Sequence, residues 1–298
     1  MSDIRIGVNL PNGGMDPRRL EEWLRQFEAD GFDCVEISLD TFPFVIGGEV
    51  SRPWVDLVRG ALAKHRLASS AHVSLGVDLR DTAMHEFQRQ VLAASIEACH
   101  ALGANPLVLH YELSSRDALV EERFLDGHRE AADLAARLGI SLCIENIEVE
   151  LVEPVVRFVR QVDRPNFRMN FDTGHAFLAA RYFHFDFLES FRATLPVLGH
   201  LHLNDNTGVF EELRITDRPR YNGLSMGYRR TFGRGDIHLP PFWGKVPFAE
   251  LFALLGDYRG MFVCEYTAQD FVPFNRSVQE QVRAAIEAAR TGAPARRA

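Results

Sequence analysis

The sequence is poor in several features that mark large protein classes. It has no run of about 18 apolar residues, so no membrane-spanning helix is expected. Its opening stretch, MSDIRIGVNLP, enters a strand-like run directly, without the basic segment and apolar core of a secretory leader, and the expected location is the cytoplasm. Cysteine is scarce: Cys34, Cys99, Cys143 and Cys264 form no CxxC pair, and three of them sit inside apolar strand-like runs. They read as buried free thiols, which excludes a disulfide framework or a thiolate metal site. A GxGxxG fingerprint is missing after the first strand, where NLPNGGMD offers only two adjacent glycines, and this argues against a dinucleotide site. Positive charge is in deficit. The net charge is −8 and the pI about 5.8, the opposite of the basic footprint that a nucleic-acid backbone demands. Lysine is nearly absent: of 33 basic residues only Lys64 and Lys245 are lysines, so arginine is the default cation here.

What is present is an alternation of short apolar runs with longer amphipathic ones. Hydrophobic residues make up 46% of 298 positions, enough for a large core. Strand-like runs fall at Ile4–Leu10, Cys34–Ser38, Ser69–Val73, Pro106–His110, Ser141–Glu145, Phe167–Asp172, Gly199–Asp205 and Met261–Glu265. Helical patterns lie between them. The first has Asp16 as N-cap, Pro17 in the first turn and one apolar face of Leu20, Trp23, Leu24 and Phe27. Further helices are expected near Pro53–His65, Thr82–Leu102, Arg116–Leu138, Glu153–Gln161 and Ser277–Ala289. Eight strand–helix units predict an α/β fold with parallel strands, a single (β/α)8 TIM barrel spanning residues 1–290 with a flexible tail at 291–298.

The last polar residue of each strand then carries the chemistry. Strands three to eight end in His72, His110, Glu145, Asp172, His202 and Glu265. In a barrel all six project at the C-terminal rim, where such folds place their sites. One such residue would signify only a local hydrogen bond. Six in succession bring together carboxylates that repel and desolvate one another unless cations compensate. Nitrogen and oxygen ligands without sulfur suit zinc, manganese, iron, cobalt or magnesium. His175 follows Asp172 by three residues in NFDTGH and can face the same rim, although Asp-Thr-Gly-His also reads as a helix cap. In RGDIHLPPFWG, Asp236 and His238 lie two apart; an extended loop would point both the same way, while the prolines also fit a plain turn. His200 shares a strand face with His202 one layer deeper, and reads as an orienting or packing residue; Glu36 on the second strand joins the same polar set. His65, His85, His100 and His128 fall on helices away from the rim.

The fragments AHVSL, LVLHYE, CIEN, NFDTGH, HLHLND, GDIHLPP and VCEY, in this order, resemble the xylose isomerase-like TIM barrels. That group includes sugar-phosphate isomerases and epimerases and the zinc-type apurinic endonucleases. The resemblance implies a central metal on Glu145, Asp172, His202 and Glu265, with Glu145 and Glu265 doubling as the acid/base pair of a proton-transfer reaction. It implies that His175 contacts substrate. In the endonuclease branch it implies two more ions, one on His72, His110 and bridging Glu145, the other on His175, Asp236 and His238. The expected cofactor is therefore a divalent metal, zinc, manganese or similar, with one to three ions.

Against that group the chain carries a long segment at about 207–235, TGVFEELRITDRPRYNGLSMGYRRTFGRG, where a short loop is usual. It holds Arg214, Arg218, Arg220, Arg229, Arg230 and Arg234, interleaved with Tyr221 and Tyr228. Folded over the metal, it would bind an anionic group, with Arg229 and Arg230 as the substrate-binding candidates; a solvated excursion or a contact within a homo-oligomer is the other reading. The loops TFPFVIGGEV and HAFLAARYFHFDF read as a lid and as aromatic walls of a small pocket. The expected partner is a small anionic or polyhydroxylated molecule, not nucleic acid or membrane. The expected function is a metal-dependent isomerase or epimerase of a sugar or sugar phosphate. The alternatives are a polynuclear hydrolase of a small phosphoester, and a barrel that only binds its ligand.

Overall fold

The computed structural model describes residues 4–11 and 16–292. Eight parallel strands close on themselves in sequence order: β1 (Arg5–Asn9), β2 (Cys34–Ser38), β3 (Ala68–His72), β4 (Leu107–Tyr111), β5 (Leu142–Asn146), β6 (Phe167–Asp172), β7 (Leu198–Leu203) and β8 (Met261–Cys264), which pairs back onto β1. The expected (β/α)8 barrel is therefore the observed one. Around it run α1 (Leu20–Asp30), α2 (Arg52–Leu62), α3 (His85–Leu102), α4 (Ala118–Arg137), α5 (Val152–Val162), α6 (Thr173–Phe183) and α7 (Phe187–Thr194). The short helices α8 (Leu213–Thr216), α9 (Arg218–Asn222) and α10 (Met226–Phe232) belong to the inserted segment, and α11 (Phe248–Leu254) and α12 (Asn275–Thr291) follow it. Among the described residues no helix is long and apolar enough to cross a membrane.

Local chemistry explains the helix boundaries. Asp16 accepts from the Arg18 amide at 3.0 Å and caps a 3-10 turn over Pro17–Arg19 that runs into α1. Leu20, Leu24 and Phe27 of α1 are buried, and Gly31 ends the helix at φ 92°, a conformation that strains any other residue. In α5 the valines and phenylalanine at positions 152, 155, 156, 158, 159 and 162 form one buried stripe. All four cysteines are buried and free.

Two loops differ from expectation. TFPFVIGGEV is not a lid over the pocket. It folds into a tight hairpin, Val45–Ile46 against Glu49–Val50, turning through Gly47 and Gly48 at positive φ. Phe42 and Phe44 are buried in the core, with Phe42 stacked on Trp54 at 5.4 Å; burial of two aromatic rings outweighs any gain from covering a polar mouth. HAFLAARYFHFDF does not wall the pocket either. It forms most of α6 and the start of α7, where Phe177 and Phe187 pack edge to face at 5.5 Å, and of this stretch only His175 lines the cavity.

The remaining histidines keep away from the rim. His128 is buried among Phe124, Phe158 and Phe167 and bonds the Phe124 carbonyl at 2.7 Å. His65 lies in a bend beyond α2, not on the helix, and its Nδ1 contacts Glu28 at 2.8 Å. His85 opens α3, with its Nδ1 3.0 Å from the Leu79 carbonyl. His100 is exposed on α3, and His184 caps α6 at φ 60°. Thr291 closes α12, and the rest of the expected tail, 293–298, lies outside the described residues.

Phe44→Ala should lower unfolding stability by about 3–5 kcal/mol, the cost of an unfilled aromatic site. Urea denaturation measures this. Metal content of the folded variant should stay at the wild-type level, because Phe44 supports the core and not the pocket.

Candidate metal centre

The strand register delivers the polar residues to one end of the barrel. Ser38 aligns with His72, His110 with Glu145, Glu145 with Asn170, and Asp172 with His202. All nine residues expected as ligands meet there. They form three groups: His72, His110 and Glu145; Glu145, Asp172, His202 and Glu265; His175, Asp236 and His238. Within each group the ligand atoms lie within 4.8 Å of one another, and Glu145 is common to two groups.

At the centre, His202 Nδ1 lies 3.0 Å from Glu145 Oε2, 3.2 Å from Glu265 Oε2 and 4.0 Å from Asp172 Oδ2. Asp172 and His202 are fully buried, and Glu145 is 1% exposed. Yet His202 Nδ1, Glu145 Oε1 and Glu265 Oε2 make no aligned hydrogen bond. Unpartnered buried polar atoms are costly, and here they converge on a common point in place of one another. That is the requirement of a divalent cation with nitrogen and oxygen ligands, so the residues fit the metal.

The imidazole tautomers agree. His72 Nδ1 contacts the Val73 carbonyl at 2.9 Å, which leaves Nε2 on the Glu145 side at 3.6 Å. His238 Nδ1 contacts the Glu265 carbonyl at 2.6 Å, with Nε2 2.8 Å from Asp236 Oδ2. His175 Nδ1 contacts Glu148 Oε2 at 3.0 Å, with Nε2 3.6 Å from Glu145 Oε1. His202 is turned the other way: its Nε2 lies 2.9 Å from Glu36 Oε1 and its Nδ1 faces the centre. In His72, His175 and His238 one nitrogen is held by an acceptor and the other is directed at the ligand set, the arrangement that orients metal-bound histidine; His202 Nε2 faces Glu36 without an aligned bond.

The orienting residues were mostly invisible in the sequence. Asn170 donates to Glu145 Oε2 at 2.6 Å and Asn204 to Asp172 Oδ2 at 2.6 Å. Asp172 Oδ1 accepts the His175 amide at 2.6 Å, so NFDTGH is both a helix cap and a ligand pair. Gly174 is obligatory there: a Cβ would sit 1.7 Å from Asn204 Oδ1. Glu36 accepts from Ser70 at 2.8 Å and contacts His200 Nε2 at 3.2 Å, which puts His200 in an orienting position beneath the ligands. Glu148, adjacent to no strand-end signal, is a buried carboxylate between His175 and Arg214 Nε, the latter at 2.5 Å.

Above the ligands lies a cavity of about 720 Å³. His72, His110, Glu145, His175, Asp236, His238 and Glu265 line it on the barrel side. The inserted segment lines it with Arg214, Arg218, Tyr221, Asn222, Met226 and Arg229, from the short helices α8 (Leu213–Thr216), α9 (Arg218–Asn222) and α10 (Met226–Phe232). The segment thus folds over the rim. Its two expected substrate arginines part company, however. Arg229 lines the cavity, whereas Arg230 is absent from its lining and bonds Asp270 at 2.7 Å, the Ile237 carbonyl at 3.2 Å and Thr267. Arg230 anchors the segment to the loop after β8.

Electrostatics follow from burial against carboxylates. Burial alone would discharge His72 and His238, but Glu145 beside the first and Asp236 beside the second carry their pKa up to about 9 and about 10. Burial pushes His110 down to about 4, so that ring stays neutral. Burial likewise works against ionising Glu265, yet His202 takes its carboxyl down to about 2.

Two outcomes follow. Without metal, His72 and His238 keep their protons below about pH 9, so an ion bound through either ring at neutral pH must expel its proton. Calorimetry in buffers of different ionisation enthalpy should record proton release at pH 7, and apparent affinity should rise with pH until about 9–10. Where His175, Asp236 and His238 hold an ion of their own, Glu148→Gln should weaken its retention by about 10–100-fold, the usual cost of losing an orienting carboxylate, read as metal lost under chelator competition.

The family model described as xylose isomerase-like TIM barrel matches residues 24–291. No curated protein matches the sequence significantly. Among solved structures, a xylose isomerase-like TIM barrel protein from Mycobacterium smegmatis in complex with magnesium is 19% identical at TM-score 0.69, covering 96% of this chain and 97% of that one. A xylose isomerase domain protein from Planctomyces limnophilus is 13% identical at TM-score 0.70, covering 97% and 98%. The 3-keto-D-glucoside 4-epimerase from E. coli is 18% identical at TM-score 0.66, covering 94% and 99%. At these identities the likeness is one of fold, and together with the family match it places the chain in the xylose isomerase-like TIM barrel family.

Proposed function

We propose that the protein is a divalent-metal-dependent isomerase or epimerase of a small polyhydroxylated molecule. The observation that carries this reading is the convergence of Glu145, from β5, and Glu265, from the end of β8, on His202 Nδ1. A divalent ion held by Glu145, Asp172, His202 and Glu265 would supply a Lewis acid for a carbonyl and its neighbouring hydroxyl, which acidifies the C–H between them. Glu265, ionised beside His202, accepts that proton. Glu145, held in place by Asn170 and ionised beside His202, would first take up a proton from water and then deliver it to the other side. The surrounding cavity, roofed by the insertion, limits water access during the transfer. Several fold neighbours carry such chemistry in their names, among them a D-psicose 3-epimerase solved with D-tagatose and a D-allulose 3-epimerase in complex with D-allulose.

A second reading is favoured by the two flanking groups, His72 with His110 and His175 with Asp236 and His238. Three ions would suit hydrolysis of a small phosphoester, in which metal clamps stabilise the attacking and leaving oxygens. Asp236 and His238 are the discriminating pair, since the proton-transfer mechanism has no use for an ion of their own.

Glu145→Gln and Glu265→Gln should each reduce exchange of the substrate C–H with deuterated solvent by about 10²–10⁴-fold, followed by NMR. Persistence of exchange in both would remove the two-carboxylate mechanism. Elemental analysis of protein purified without chelator decides between the readings: one ion per chain supports the isomerase, two or three the hydrolase.

A further inference from the structure

The arginines of the inserted segment are not equivalent. Arg214 is neutralised by Glu148 at 2.5 Å, Arg230 by Asp270 at 2.7 Å and Arg234 by Glu211 at 2.9 Å. These three hold the segment in place, to the loop after β5, to the loop after β8 and to itself. Arg218 and Arg229 line the cavity differently. Among the described residues Arg218 pairs with Glu112 at 3.7 Å, beyond hydrogen-bond distance, and the Arg218 side chain is 57% exposed. Arg229 lies over the Tyr221 ring at 4.0 Å and donates to the Tyr221 carbonyl at 2.9 Å. Its Nε is buried without a partner. Stacking and that single bond fix the guanidinium plane, and among the described residues no carboxylate is in hydrogen-bond contact with it. The Asn222 side chain stands in the same lining.

From this arrangement we infer that Arg218 and Arg229 form a subsite for a phosphate monoester, so that the substrate is a phosphorylated sugar or polyol. The inference rests on the reading of the cavity as a metal-dependent site for a small polyhydroxylated molecule, and it names the class of that molecule. Two guanidiniums without full ion pairs, on consecutive short helices, match a dianion better than a monoanion; each offers forked donors to phosphate oxygens. Glu112 has the role of a placeholder. An arriving phosphate displaces it from Arg218, which it faces at 3.7 Å. In a chain of net charge −8, this local positive field also draws an anionic substrate toward the mouth.

The test uses the full chain loaded with manganese and calorimetric binding of matched pairs: glycerol and glycerol 3-phosphate, erythrose and erythrose 4-phosphate, ribose and ribose 5-phosphate. The quantity read is the ratio of affinities within a pair. In the wild type at least one phosphate should bind about 10–100-fold more tightly than its parent, the range expected for charge-assisted hydrogen bonds. Arg218→Gln and Arg229→Gln should each bring that ratio close to one. Arg218 is exposed, so its replacement leaves folding intact and keeps the test decisive even where loss of the Tyr221 stack unsettles the Arg229 variant. The proposal is overturned when no phosphate outbinds its parent, when the ratio survives in Arg218→Gln, or when ribonate gains as much as ribose 5-phosphate. Phosphate preference without C–H exchange rejects the isomerase chemistry alone, and C–H exchange without phosphate preference rejects the subsite alone.

Discussion

Everything at the rim depends on one electrostatic constraint: four carboxylates, Glu36, Glu145, Asp172 and Glu265, are packed around a single imidazole at the top of the barrel. Three of them are at most 1% exposed. Burial opposes ionisation of each, and mutual repulsion adds to that. His202 lies against all four and is strongly driven to carry a proton by Glu265, Glu36 and Glu145, although burial opposes it. His202 is thereby pushed toward its protonated form, which would set a positive charge among the carboxylates. Replacing one positive charge by two is what such a cluster gains from a divalent cation, and the free lone pairs on Glu145, Glu265 and Asp236 give that cation somewhere to bind.

The inserted segment extends the same constraint outward. Glu148 is a further buried acid, and burial would neutralise it if nothing opposed; His175 and Arg214 keep it ionised, with its pKa well below the ordinary carboxylate range. Arg214 comes from the insertion and His175 from the start of α6, so the segment over the cavity and the ligand group beneath it share one hydrogen-bonded carboxylate. Arg230 does the corresponding work on the β8 side. A segment that could have been a solvated excursion is pinned at both flanks: by the pair of Arg214 with the buried Glu148, which water screens less than a surface pair, and by Arg230, which bonds the exposed Asp270 as well as Thr267 and the Ile237 carbonyl. The consequence is a fixed roof in which some arginines are structural and only the remainder can meet a ligand.

The barrel and six of the nine candidate ligand positions were legible because each rests on a repeating pattern; His175, Asp236 and His238 lie off it and were raised by short motifs and the family resemblance. Period-two strands ending in His, Glu or Asp recur six times, and helix signals such as Asp16–Pro17 mark the intervals. Identification of the orienting shell had no such support. Asn170 and Asn204 are single amides inside apolar strands or just past them, and nothing in their neighbours says that their side chains turn toward Glu145 and Asp172. Glu148 sits three residues after Glu145, in a loop, and its burial is decided by Arg214 some sixty residues away. The lid and the aromatic wall were misread for a related reason: an apolar loop lowers its free energy equally by closing a pocket or by filling a gap between helices, and composition does not distinguish the two. Phe42, Phe44 and Phe177 took the second course.

The assignment of Arg230 shows the same limit more sharply. Arg229 and Arg230 are adjacent on α10, and adjacent helical residues diverge by about 100° around the axis, the consequence of 3.6 residues per turn. Both could not face the cavity. Sequence proximity made them a pair; helical geometry made one a lining residue and the other an anchor to Asp270 and Thr267. Arg218, eleven positions upstream and on a different short helix, shares the cavity with Arg229; α9 ends at Gly223 and α10 starts anew from its Ser225 cap. A basic cluster in a loop is thus a statement about field strength over a region, and only the backbone path decides which of its charges act on a ligand and which hold the region in place.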